Sequence, residues 1–346
     1  MTTYARVTRA WTGESWVNDA LVSIDDERIA VVPAGPAGPD GPVGRVDATL
    51  LPPLTDAHVH IGLSDFASRG GGALARLLDL GWDPPALSTV VATAAVATAP
   101  APAPEVRWAG TFLTAPGGYP STRAWAPPGS VTAVATAEQA AAAVDRQVEL
   151  GAAVIKVTLN VDAGPVLPDD VLRALVDRAH AHGRPVVAHV EGAGQPMRAL
   201  EAGVDWFAHA PWTHRLTDAE IEAMVGRVGW IGTLDMHGRG DYGDDYARAL
   251  DNVSRFVARG GTVAYGTDLG NALSTADLNP REVAALRAAG VDGERLLAAV
   301  SGAGLLPRWS RTASLLPADV TGTADAIDAL PQARPVDAAT LRAMVL

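Results

Sequence analysis

His58 and His60 stand one residue apart in LLPPLTDAHVHIG, residues 50–62, directly after an apolar run and a pair of prolines. Side chains at i and i+2 of a strand share a face, so on an extended segment both imidazoles point the same way, as two arms of a metal site do. A short surface pair that happens to alternate gives the same pattern. Four further residues weigh against that plainer reading. Lys156 follows AVI, His189 follows PVVA, His209 follows DWFA and Asp268 follows TVAYGT. Each can ligate a metal or move a proton, and each ends a run that reads as a strand.

Lys156 carries a separate argument, because of the 27 lysines and arginines it is the single lysine. A buried lysine amine can lose its proton and react with carbon dioxide to give a carbamate, whose two oxygens can bridge two cations. Arginine, with a pKa above ~12, cannot. A lysine-poor coding bias that left one survivor is the alternative.

These residues need elements to position them. From residue 51 onward short apolar runs alternate with alanine-rich segments of 3.6-residue period, the pattern of repeated β/α units. Strands are expected at 54–60, 106–114, 152–158, 185–190, 205–209, 228–236 and 262–268, with a second strand near 85–97. Helices are expected at 137–151, 168–183, 218–227 and 281–290, and ALARLLDL, residues 73–80, also reads as a helix. Eight such units in about 250 residues have the size of a TIM-type barrel, whose active sites are assembled at the carboxyl ends of the strands. Residues 3–32 read as several short strands, PAGPAGPDGPVG (33–44) as a loop, and residues 312–346 as short pieces able to pair with the N-terminal strands.

With 346 residues, 48% hydrophobic and 19% charged, the chain is an ordinary globular protein with room for one large core and a smaller partner. A net charge of −12 and a pI near 5.0 argue against nucleic acid and anionic membranes, leaving a small-molecule substrate. The absence of cysteine removes disulfides and thiolate zinc sites, so any metal here uses His, Asp, Glu or Lys. The N-terminus lacks the basic region and apolar run of a secretory signal, and STVVATAAVATAPAP (88–102) is shorter than the ~20 residues that span a bilayer. A soluble, cytoplasmic protein is expected, with a homo-oligomer left open.

Together LPPLTDAHVHIG, AAVIKVT, VVAHVEG, DWFAHAP and AYGTDLG resemble the amidohydrolase superfamily, especially its members related to imidazolonepropionase and the Xaa-Pro dipeptidases, over most of residues 3–310. The resemblance implies an α/β fold: a TIM (β/α)8 barrel over residues 51–311 and a small flanking β-sandwich built from residues 1–50 and 312–346. It implies a metal-dependent amidohydrolase with His58, His60, Lys156, His189, His209 and Asp268 as metal ligands. Two divalent cations, zinc before manganese, iron or cobalt, would share carboxylated Lys156. His58, His60, Lys156 and Asp268 would serve one and Lys156, His189 and His209 the other, with a bridging hydroxide. Asp268 would be general base and acid in hydrolysis of an amide-like C–N bond. The rival is one Zn²⁺ or Fe²⁺ on His58, His60, His189 and Asp268, with His209 bonding the water and Lys156 kept as an amine. The chain departs from the family in Pro52-Pro53, where Pro-Gly is usual, in GWDPPALST after the first strand, and in a degraded C-terminal segment.

Tyr119 in PGGYP, Trp212 and His214 after DWFA, and His237 or Tyr242 around GRGDYG (238–243) are candidates for substrate contact. GRGDYG also matches a dinucleotide-binding pattern, but its acidic neighbours Asp241, Asp244 and Asp245 would repel a pyrophosphate. RGGGA (69–73) could cap a phosphate or act as a hinge, and His180 and His182 suit the C-terminal end of a helix. Deamination of a ring amine, lactone opening and a catalytically silent scaffold stay open beside amide hydrolysis.

Overall fold

The computed structural model describes residues 2–33, 43–66, 72–97 and 102–345. Strand β1 (Thr3–Trp11) buries Ala5 and Val7 and leaves Arg6 in solvent, the period-2 pattern of a sheet with one wet face. It pairs antiparallel with β2 (Trp16–Ile24), which pairs with β3 (Ile29–Val31), and parallel with β4 (Gly44–Leu51).

The chain then changes texture. Strands β5 (Thr55–Val59), β6 (Arg76–Asp79) and β7 (Glu105–Trp108) form a parallel sheet in that order. A second parallel sheet comprises β8 (Phe112–Thr114), β9 (Val131–Ala133), β10 (Ile155–Asn160), β11 (Val186–Glu191), β12 (Trp206–Phe207), β13 (Gly229–Ile231) and β14 (Val263–Ala264). Its order is β14-β13-β12-β11-β10-β8-β9. Every residue of β5, β6 and β10 is buried, as parallel strands covered on both faces must be.

Backbone hydrogen bonds cross between the two sheets. Ala57 N donates to Tyr265 O (3.0 Å), Asp268 N to His58 O (2.9 Å) and His60 N to Leu269 O (2.7 Å), joining β5 to the segment after β14. Ala153 N donates to Trp108 O (2.8 Å), joining β7 to the approach to β10. One apolar cluster takes Ala57, Leu78, Val154, Val187, Ala208, Ile231 and Ala264 from these strands and their ends.

The crossovers are helices with legible starts. Thr136 caps Ala137–Glu149 by accepting from Gln139 N, and Thr217 and Glu220 form a reciprocal capping box at Asp218–Met224. Asp169–Ala181, Asp244–Ala258 and Pro280–Ala288 complete the longer set. The last strands, β15 (Thr312–Leu316) and β16 (Arg334–Asp337), return to the first sheet, ordered β16-β15-β4-β1-β2-β3. The helix Ala338–Val345 packs on β2 and β4. No helix among the described residues is long and apolar enough to cross a membrane.

Several expectations need correction. The strand expected near 85–97 is a helix, Pro84–Ala97, and the helix expected in ALARLLDL contains strand β6. Pairing decides the second case: Arg76 is 1% exposed, and its guanidinium bonds Thr55 Oγ1, Ser301 O and Pro307 O, a set reached only from a strand beside β5. The single strand expected at 106–114 is two, β7 and β8. It breaks at Gly110, whose φ of +82° suits glycine and where Gln147 accepts from Thr111 N. The strand expected at 228–236 ends at Ile231, before a turn of 3-10 helix at Leu234–Met236. Most of the Gly-Pro segment (34–42), positions 69–71 of RGGGA and residues 98–101 lie outside the described residues.

Candidate metal centre

At the carboxyl ends of the parallel strands lies a cavity of about 340 Å³, and His58, His60, Lys156, His189, His209 and Asp268 all line it. His58 is fully buried at the end of β5. Its Nδ1 lies 2.7 Å from Ala208 O, and His60 Nδ1 lies 3.1 Å from Gly81 O. A carbonyl oxygen only accepts, so in each neutral ring Nδ1 carries the proton and Nε2 presents a lone pair. The two Nε2 atoms stand 3.3 Å apart, and Asp268 Oδ1 lies 3.4 Å from one and 3.6 Å from the other.

With both rings in that tautomer, two imidazole lone pairs and a carboxylate oxygen face one another. His58 is held neutral, since burial, Lys156 and His60 push it well below the usual imidazole range. A cation fits such a donor set. His58, His209 and Asp268 offer ligand atoms all within 4.8 Å of one another. His209, also pushed well below its usual range by burial and by His58, is oriented by a 2.9 Å contact between Nδ1 and Thr233 Oγ1. His189 stands apart: its Nε2 lies 2.8 Å from Glu191 Oε2, so that nitrogen donates to the carboxylate.

Lys156 sits on β10, 1% exposed, and its side chain forms no hydrogen bond or ion pair with any described residue. Burial pushes its ammonium down to about 7, against the opposing pull of Asp268 and Asp79. Near neutral pH a substantial fraction is a free amine.

Asp268 has φ of +54°, a conformation a non-glycine residue adopts at a cost of about 1–3 kcal/mol. Surrounding bonds hold it there. Asn271 Nδ2 donates to its Oδ2 (2.9 Å), and Arg239 donates to the carbonyls of Thr267 (3.1 Å), Asp268 (3.4 Å) and Asn271 (2.5 Å). Two buried carboxylates support the other side. Asp56 accepts from His58 N (3.1 Å), and Asp79 accepts from Ile61 N (2.8 Å) and Gly81 N (3.0 Å), fixing the carbonyl that orients His60.

Tyr119 and Trp212 line the cavity, with ring centroids 5.1 Å and 5.8 Å from His189. Thr158 Oγ1 donates to Tyr119 O (2.5 Å), holding that loop against β10. His237 is not among the residues that line it, and its ring centroid lies 5.2 Å from that of Trp212. Tyr242 likewise donates to buried Asp235 (2.7 Å) and stacks on Tyr246. His180 and His182 pair with Asp205 and Asp145 on the surface. Sequence reasoning missed Phe112, Trp125, Glu191 and Asn271 in the lining. Glu191 was reachable, since it stands two residues beyond His189 on β11 and shares its face.

No family model matches the chain. It is 30% identical over 154 residues to uncharacterized proteins of Mycobacterium bovis and Mycobacterium tuberculosis, and the match spans 40% of this chain and 40% of those relatives. Solved structures match along nearly the whole length. Ochratoxinase of A. niger has a TM-score of 0.71 at 18% identity, over 97% of this chain and 94% of that one. A Xaa-Pro dipeptidase with methionine in its active site has a TM-score of 0.70 at 17% identity, over 98% and 99%. Molinate hydrolase has 0.64 at 14%, over 98% and 94%. The chain shares the fold of these solved structures.

Proposed function

We propose that the chain is a metal-dependent hydrolase of an amide-like C–N bond in a small molecule: a cyclic amide, an N-acyl amino acid or a dipeptide-like compound. In this reading residues 51–311 are a (β/α)8 barrel, supported by the hydrogen bonds between the two parallel sheets, and residues 1–50 and 312–346 a small β-sandwich domain. The observation that carries the function is the convergence of His58 Nε2, His60 Nε2 and Asp268 Oδ1 within 3.6 Å of one another.

His58, His60, Lys156 and Asp268 would hold one divalent cation, zinc before manganese, iron or cobalt, and Lys156, His189 and His209 a second. Such a cation lowers the pKa of a coordinated water from ~15.7 toward ~7 and polarises a carbonyl. The chain's own residues do the rest. The neutral Nζ of Lys156 adds to carbon dioxide and releases one proton to solvent, leaving a carbamate with two oxygens for two cations. Asp268 accepts a proton from the attacking water and passes it to the departing nitrogen. Tyr119, Trp125, Phe112 and Trp212 hold the apolar part of the substrate and exclude water. A second reading, one cation with Lys156 kept as an amine, draws on the grouping of His58, His209 and Asp268, whose ligand atoms all lie within 4.8 Å of one another.

The experiment is a panel of N-acyl amino acids, dipeptides, hydantoin-like rings, lactones and ring amines against zinc-loaded and manganese-loaded protein. Release of amine from amide substrates, lost in Asp268→Asn, is expected. Turnover confined to lactones or ring amines would replace amide hydrolysis with those reactions, and no turnover of any substrate would favour a silent scaffold.

A further inference from the structure

A second cavity, about 950 Å³, lies at the opposite end of the parallel strands. Ala153, Pro185 and Thr262 in its wall precede β10, β11 and β14, whereas the histidine cavity is lined by Lys156, Thr158, His189 and Glu191 within β10 and β11 and by Asp268 beyond β14. The two cavities share no lining residue.

Its charge is the reverse of the molecule's. Arg28, Arg107, Arg184, Arg295 and Arg308 line it, and no described aspartate or glutamate does, in a chain of net charge −12. Arg107 pairs with Glu105 (3.3 Å) and Arg308 with Glu14 (2.8 Å). Arg28, Arg184 and Arg295 form no ion pair with any described residue. Two polar atoms of the wall are buried without a hydrogen-bond partner, Arg184 Nε and Ser301 Oγ, and Ser301 is only 7% exposed. Gly13, with φ of +94°, makes room for a third group: a Cβ there would fall 2.5 Å from Arg308 Nε.

Unpaired guanidiniums around one cavity repel one another, and a buried hydroxyl without a partner is destabilising. An oxyanion removes both penalties, because guanidinium forks match carboxylate and phosphate oxygens and a serine hydroxyl can donate to either. A cavity of this size suits a small molecule. We propose that it binds a small, multiply charged oxyanion, a phosphate ester or a polycarboxylate, at a site separate from the histidine cavity.

Isothermal titration of the metal-loaded, full-length protein with ribose 5-phosphate and with succinate tests this and distinguishes the two sources. One saturable site per chain is expected for at least one of them. It should weaken about tenfold or more in Arg184→Ala and in Arg295→Ala, weaken in Ser301→Ala, and weaken as salt is raised. Arg28→Gln, at an exposed position, gives the same reading should a wall variant fail to fold. No saturable binding of either probe at millimolar concentration would overturn the proposal. So would binding that survives the arginine variants and disappears with the metal, which would put the anion in the histidine cavity.

Discussion

The Asp56 carboxylate accepts from both the hydroxyl of Thr267 (2.6 Å) and its backbone amide (3.0 Å), stitching β5 to the segment after β14 beside two candidate ligands, His58 and Asp268. The same oxygen that takes the amide also takes His58 N (3.1 Å). Asp56 is not in the lining of either cavity described above, yet it sets the register between a histidine and an aspartate whose polar atoms must meet. Asp56→Asn keeps the size and one acceptor oxygen. It should cost about 10–100-fold in metal affinity, as loss of a supporting partner does, read by competition with a chelator. Unchanged affinity would show that the strands hold register without it.

Lys156→Ala and Lys156→Arg separate the carbamate from simple packing. Neither can form it, so both should lose metal and activity, and the wild type should gain activity when reconstituted with bicarbonate. Because burial brings the amine down to about 7, carboxylation should be faster at pH 8 than at pH 6. Retained metal and turnover in Lys156→Ala would leave the lysine as an amine only.

Behind the cavity, Trp230 and Phe256 stack with centroids 3.9 Å apart and planes 11° from parallel, pinning the helix Asp244–Ala258 to β13. Phe256→Ala should destabilise by about 3–5 kcal/mol, the range for a large aromatic removed from a packed core. Denaturant unfolding with metal chelated checks it without interference from ligand binding.

Glu282 is fully buried, and burial pushes its carboxyl up to about 8 from 4.5, although backbone N–H groups of Asp235 and Leu234 pull the other way. Between those two values the folded state holds a proton that the unfolded state has released. Its contribution to stability is therefore lost as pH rises through this window and levels off above about 8. Glu282→Gln abolishes the titration, so its melting temperature should decline less than the wild type's between pH 5 and pH 9. Parallel curves would mean that Glu282 is ionised throughout.

Much of the candidate site was readable because polar side chains interrupt or follow short, buried and largely apolar runs. His58, Lys156, His189 and Asp268 stand out as polar side chains where burial is otherwise complete. β6 was not readable, since RLLD inside ALARLLDL has the spacing of a helix and only its pairing with β5 and β7 makes it a strand. Pro84–Ala97 failed in the opposite sense, its valines and threonines suggesting a strand while Val96 is left 79% exposed on a helix. Trp125 reaches the cavity from a loop that carries no period, and His237, which follows a turn of 3-10 helix, is absent from the lining. Position after a strand names candidates; direction comes from the loop.

The central claim is that His58, His60 and Asp268 converge to hold a divalent cation. Metal content per chain, measured by elemental analysis after purification without chelators, tests it most directly. One or two equivalents of a divalent transition metal are predicted in the wild type, with loss in the double variant His58→Ala/His60→Ala at unchanged secondary structure. A wild-type chain that takes up neither zinc nor manganese, or a double variant that keeps its full complement, would contradict the account.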